Sequence, residues 1–219
     1  MKVSRLYCES FMPYTFKRLL EKISSEKTPG PSPTFSLFHM LHAIEIIARK
    51  TIGRNKLAES LNVGKGAVRT IIKRLRDAGL VAASKEGCTL TGKGLKLLNE
   101  YKSILRRTEI GKSELTLTDY NSAILIKNSG HKIKSGVEQR DAAIKVGAKG
   151  ATTIIFKEGR LIIPAVSKNM IEDFPKAANQ IVRHLKPGEN DVIVIGSGNS
   201  LGEAEYGTLA AAWTLLDDC

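Results

Sequence analysis

The chain reads as an α+β protein of two domains, an amino-terminal helical domain carrying a short hairpin and a carboxy-terminal domain of helices packed on a small mixed sheet. Three observations predict this. Over residues 57–81 a helical apolar period is interrupted once, at Asn62-Val63-Gly64, and then resumes. Beyond Thr118, short runs rich in β-branched residues alternate with helical segments. Charge also divides the chain, since 22 Lys and Arg face 9 Asp and Glu over residues 1–112, whereas 12 face 13 over residues 113–219. The net charge of +12 therefore belongs to the amino-terminal half alone. That asymmetry fits a nucleic-acid module joined to a domain with a different task.

Residues 14–23 place Phe16, Leu19, Leu20 and Ile23 at helical spacing, ahead of the breaker run Pro29-Gly30-Pro31-Ser32-Pro33. From Thr34 a second helix sets Leu37, Leu41, Ile44, Ile47 and Ala48 on one side. His39 and His42 lie on it three residues apart, but no acid or cysteine completes a ligand set, so no metal is expected there. A short helix with Leu57, Ala58 and Leu61 inward leads into the turn, with Gly64 as N-cap of the next helix. On that helix Lys65, Arg69, Lys73 and Arg76 share an arc of about 80° at the helical angle of roughly 100° per residue. Ala67, Val68, Ile71, Leu75 and Ala78 gather opposite, with Ile72 at the margin. One face can pack while the other offers only cations, which suits a major groove flanked by phosphates. Gly79 occupies the left-handed C′ position, and residues 80–84 and 88–91 form a hairpin around Lys85-Glu86-Gly87.

Residues 57–69, the run Arg74-Leu75-Arg76-Asp77-Ala78-Gly79-Leu80-Val81 and the run Leu90-Thr91-Gly92-Lys93-Gly94 resemble the winged helix-turn-helix domains of prokaryotic transcriptional regulators. The resemblance implies double-stranded DNA as partner. The residues placed at DNA are Lys65, Gly66, Arg69, Thr70, Lys73 and Arg76 on the second helix and Lys85 on the wing, with Gly66 allowing close approach. A trailing helix over residues 94–107 carries Leu97, Leu98, Tyr101, Ile104 and Leu105, either a homodimer seam centred on Leu98, Tyr101 and Leu105 or a stripe packed on its own domain. Pairing through such a helix in winged-helix regulators favours the homodimer.

Residues 106–118 read as a polar connector. After them come strands at 122–127, 151–156, 160–163 and 191–195, and helices at 137–146, 174–185 and 204–216. The chain thus partitions into an extension with a Pro-rich connector (1–33), a winged-helix domain with its trailing helix (34–108), and an α+β effector-binding or assembly domain (116–219). Two stretches of the last are candidate ligand sites. Gly196, Ser197, Gly198, Asn199 and Ser200 follow a strand and open a helix, where backbone N–H groups can cradle an anion; the alternative is a plain glycine-rich turn. Gln139 and Arg140 open another helix and can donate paired hydrogen bonds. The run Pro31-Ser32-Pro33-Thr34-Phe35-Ser36, the winged helix, and residues 136–151 and 195–204 together resemble an archaeal family of winged-helix proteins with an uncharacterised carboxy-terminal domain.

Cys8, Cys88 and Cys219 are odd in number, far apart and without a CxxC partner, so neither a disulfide framework nor a zinc site is expected. Residues 1–10 lack the apolar core of a signal peptide, and no apolar run spans a membrane. A cytoplasmic protein without cofactor or membrane partner is expected. No Ser/His/Asp or Cys/His arrangement stands beside either ligand stretch, so catalysis is not the leading reading. The sequence points to a dimeric DNA-binding transcription regulator whose second domain senses a small-molecule effector or mediates assembly. A bifunctional enzyme with a winged-helix regulatory domain and a winged-helix protein-interaction adaptor are the alternatives.

Overall fold

The computed structural model describes residues 15–26 and 33–216. Tyr14, the run from Pro29 to Ser32, the leader reading over residues 1–10, Cys8 and Cys219 lie outside them. The chain divides into two compact units between Tyr101 and Lys102.

In the first unit, α1 (Thr15–Ser24) buries Phe16, Leu20 and Ile23 of the four residues whose spacing predicts it and leaves Leu19 partly exposed. It is not a detached extension: the Phe16 ring meets Tyr101 edge-on at 5.7 Å, and the Phe16 N–H donates to Glu100 Oε1 at 3.3 Å. Helix α2 (Leu37–Arg49) starts where the Ser36 N–H donates to His39 Nδ1 at 3.1 Å. His39 is thus engaged at a helix start, where burial and then neighbouring His42 hold its pKa below the usual histidine value. Helices α3 (Arg54–Leu61) and α4 (Lys65–Asp77) flank the turn, which closes through Asn62 in the left-handed region at φ 50°. Gly79, at φ 73°, ends α4 as expected. Strands β1 (Val81–Ala83) and β2 (Cys88–Leu90) pair antiparallel as the wing, and Ile52 bridges to Cys88 at its base.

Helix α5 (Gly92–Ile104) is followed directly by β3 (Leu105–Ile110). Two expectations fail here. Residues 106–110 are an edge strand rather than connector; with a single strand neighbour, β3 can keep Arg106 and Glu109 exposed, so it lacks the apolar alternation that reveals inner strands. The stripe Leu97, Leu98, Tyr101 and Leu105 is no open seam either, because each of the four is 5% exposed or less within the chain itself. Its periodicity reports the protein's own core.

The second unit is built on a five-stranded sheet of order β3-β4-β7-β5-β6, adding β4 (Tyr120–Ile126), β5 (Gly150–Lys157), β6 (Arg160–Ile162) and β7 (Val192–Gly198). The sheet expected to be mixed is antiparallel at every pairing. Helices inserted between strands suggest parallel crossovers, but here each returns the chain to a strand running against its neighbours. On one face α7 (Met170–Asp173) and α8 (Pro175–Leu185) cover Ala123, Leu125, Ile154, Ile193 and Ile195. On the other lie α6 (Val137–Lys145) and α9 (Leu201–Trp213). A sheet covered twice explains why β4 is buried from Asn121 to Ile126 and β7 along its whole length. Glu114 holds the start of α8, accepting from the Lys176 and Ala177 N–H groups at 3.1 Å.

Candidate nucleic-acid interface

Helix α4 begins at Gly64 in extended backbone with no side-chain cap and no acid in its first turn, so its N-terminal donors and positive dipole end face nothing anionic from the helix itself. Val68, Ile71, Ile72 and Leu75 are buried, and they anchor one side of the helix in the domain. On the other side Lys65, Gly66, Arg69, Lys73 and Arg76 are exposed, and Thr70 is partly exposed. Arg76 Nη2 lies 3.7 Å from Asp77 Oδ1 with both side chains more than half exposed, a loose pair that screening makes weak. The C-terminal end is tied by the Lys93 ammonium donating to the Ala78 carbonyl at 2.8 Å and the Thr91 hydroxyl donating to the Gly79 carbonyl at 2.6 Å. These two bonds fix α4 against the wing and the start of α5.

At the wing turn the Ser84 N–H donates to the Gly87 carbonyl at 2.9 Å, and exposed Lys85 stands on this turn. A residue that the sequence reading missed stands at the wing base. Arg54, exposed at the start of α3, is near enough to Cys88 that its charge opposes the upward push that burial gives the thiol. Its signal was hidden because the apolar pattern of α3 begins only at Leu57. Arg74, by contrast, is a cation of α4 that does not belong to the exposed face. It is 3% exposed, donates from Nη1 to the Ser24 carbonyl at 2.7 Å and from Nη2 to the Glu26 carbonyl at 2.5 Å, and lies 5.4 Å from the centre of the Phe35 ring. Both ends of the connector between α1 and α2 are thereby held to α4.

The candidate ligand stretches of the second domain are corrected by their geometry. Gly196, Ser197 and Gly198 belong to β7, buried between β4 and β5, so their backbones lie within sheet ladders rather than in an open cradle. The Ser197 hydroxyl donates to Asn121 Oδ1 at 2.6 Å and accepts the Leu117 N–H at 3.0 Å. The Asn199 N–H donates to Glu203 Oε2 at 2.8 Å, and Ser200 Oγ accepts the Glu203 N–H at 3.2 Å. This is a helix cap in which Ser200 and Glu203 take up the Glu203 and Asn199 N–H groups. A Cβ on Gly196 would stand 2.8 Å from Thr208 Cγ2, and one on Gly198 would stand 2.6 Å from the Ala204 nitrogen. The glycines are there to let α9 lie close on the sheet. Gln139 is 2% exposed and donates to Thr214 Oγ1 at 2.8 Å, while exposed Arg140 pairs with its neighbour Asp141 at 3.1 Å. The two do not form a clamp.

Elsewhere in this domain Arg107 and Glu205 approach to 3.6 Å. Neighbouring Tyr206 is pushed up to about 12 by burial and then by the Glu205 charge, with Arg107 opposing. Among the described residues no group of three or more His, Cys, Asp or Glu is placed to hold a metal ion, and no helix is long and apolar enough to cross a membrane.

Comparison with known proteins follows the same division. Residues 36–105 match the model of the CggR N-terminal DNA binding domain, and residues 117–215 match a domain of unknown function. The chain is similar to the structure of a hypothetical protein from Pyrococcus horikoshii OT3, with 26% identity, a TM-score of 0.68, and coverage of 83% of this chain and 92% of that one. A second structure, the activation domain of the phage T4 transcription factor MotA, is 20% identical over 41% of this chain and 87% of its own, at a TM-score of 0.29 too low to carry an argument. No curated protein matches. The archaeal relative and the two matched domains bear out the resemblance drawn from the sequence, an amino-terminal helix-turn-helix domain joined to an uncharacterised carboxy-terminal domain.

Proposed function

We propose that this chain, whose amino-terminal domain matches a DNA-binding domain and whose remainder matches a domain of unknown function, is a transcription regulator that binds double-stranded DNA through α4 and the wing. One observation carries the reading: α4 buries Val68, Ile71, Ile72 and Leu75 and leaves Lys65, Arg69 and Lys73 exposed on a face with no acid in the first turn. In the proposed complex α4 enters the major groove, with Arg69 positioned for a base edge and Lys65, Lys73 and Arg76 for phosphates. Lys85 reaches a neighbouring phosphate or the minor groove, and Arg54 adds a cation at the wing base. Fluorescence anisotropy with duplex DNA at fixed salt tests this. An Arg69→Ala, Lys73→Ala double variant is expected to lose at least 1 to 3 kcal/mol, roughly the value of one base-edge contact. Unchanged affinity would remove α4 from the interface.

The regulator is further proposed to act as a homodimer, because one winged helix offers few base contacts whereas two-fold pairing reads two half-sites. The pairing surface is not the α5 stripe, which is spent inside the chain. The carboxy-terminal domain is the part proposed for assembly or effector response. Its nearly balanced charge argues against a second DNA-binding surface. Light scattering at micromolar concentration, with and without duplex DNA, is expected to give a dimer mass; a monomer in both conditions would refute the pairing.

A further inference from the structure

Within the proposed interface, Thr70 is the polar uncharged side chain among the α4 residues assigned to DNA. Its hydroxyl is already committed, since Thr70 Oγ1 donates to the Gly66 carbonyl one turn back at 3.2 Å. A hydroxyl has one proton to give. Once that proton is spent on the helix backbone, the side chain cannot donate to an acceptor on a base edge without breaking the bond. What remains for a partner on this partly exposed side chain is the γ-methyl group and an oxygen that can only accept. One turn back the surface is open, because nothing lies within 4 Å of a Cβ built at Gly66, the residue that accepts the bond. In the major groove the complementary apolar group is the C5-methyl of thymine, and no other base of ordinary DNA carries one.

We infer that Thr70 is a specificity-determining residue which reads thymine through its methyl group rather than its hydroxyl. The inference rests on the α4 reading of DNA. It adds a distinction that the cationic face cannot supply, because Lys65 and Lys73 hold phosphates and are blind to sequence. Arg69 has the chemistry for guanine. Thr70 then supplies an apolar preference for an A·T pair beside it.

The experiment uses the full chain and duplexes that it selects from a randomised library. Each thymine of a selected duplex is replaced in turn by uracil, which removes only the C5-methyl, and affinity is measured for the wild type, Thr70→Ser and Thr70→Val. At one position per half-site, uracil should weaken the wild type about fourfold, the factor for one buried methyl-sized group. Thr70→Val, which keeps the methyl and loses the hydroxyl, should respond to uracil as the wild type does. Thr70→Ser, which keeps the hydroxyl and loses the methyl, should bind the thymine duplex about fourfold more weakly and show no further loss with uracil. The inference is overturned if Thr70→Ser retains wild-type affinity and uracil sensitivity, or if Thr70→Val loses affinity on every duplex, which would make the hydroxyl the reader. If the wild type selects no duplex at all, the DNA-binding reading falls with it. Selection followed by flat uracil scans overturns the Thr70 assignment alone.

Discussion

Two glycine pairs, Gly64 with Gly66 at the start of α4 and Gly196 with Gly198 in the end of β7 ahead of α9, look alike in the sequence, yet the structure uses them in opposite ways. Around the first pair a Cβ would meet nothing within 4 Å. Around the second it would collide with Thr208, Ala204 and Glu203 of α9. Empty space beside a glycine leaves room for something outside the chain, whereas filled space means that another part of the chain needs the room. The same contrast separates Arg69, exposed, from Arg74, buried against two carbonyls five residues along the same helix. Residue type names the chemistry on offer, and packing decides who receives it.

The largest expected effect comes from filling the closed pair. Gly198→Val would force a side chain where even a Cβ stands 2.7 Å from Glu203 Cβ, so thermal or urea unfolding of the carboxy-terminal domain should show a loss of about 3 kcal/mol or more. Duplex DNA affinity of the folded fraction should be unchanged. A Gly198→Val protein of wild-type stability would break the comparison. The open pair should respond with the opposite sign, and less: Gly66→Ala is expected to stabilise the amino-terminal domain by about 0.5 to 1 kcal/mol, since glycine costs that much within a helix. The same variant should bind DNA more weakly if the open space is where DNA approaches. Gain in stability with no loss of affinity would leave Gly66 without a role at the interface.

How far the sequence could be read depended on whether a segment carries its own pattern. The turn at Asn62-Val63-Gly64, Gly79 and the wing hairpin are local, each set by a residue whose preferred backbone conformation matches its place, and all appear where the sequence puts them. The exposed cationic face was legible for the same reason, because 3.6-residue periodicity sorts a helix without knowledge of its neighbours. What was not legible depends on distant residues. β3 has the polar composition of a connector and becomes a strand only because β4 offers it a ladder. Gly196-Ser197-Gly198 resembles an anion-binding turn because a glycine needed for close helix packing cannot be told in sequence from one needed for close ligand approach. Leu97, Leu98 and Tyr101 carry a helical stripe that fits a partner helix as well as the chain's own interior, and only the folded chain shows all three buried, with Phe16, more than eighty residues away, against Tyr101. Arg74 falls outside the cationic arc, a correct hint that it serves the interior, although its carbonyl partners lie about fifty residues upstream.

The central claim, that the exposed cations of α4 are what hold DNA, is tested most directly by the salt dependence of binding. Affinity of the wild type and of Lys73→Ala for one duplex, followed by anisotropy over a series of salt concentrations, gives two slopes of log affinity against log salt. If Lys73 neutralises a phosphate, its removal should make the slope shallower by about one unit while leaving the ranking of different duplexes unchanged. An unchanged slope would contradict the account, because the cation would then release no counterion and the face it belongs to would not be the one that meets the duplex.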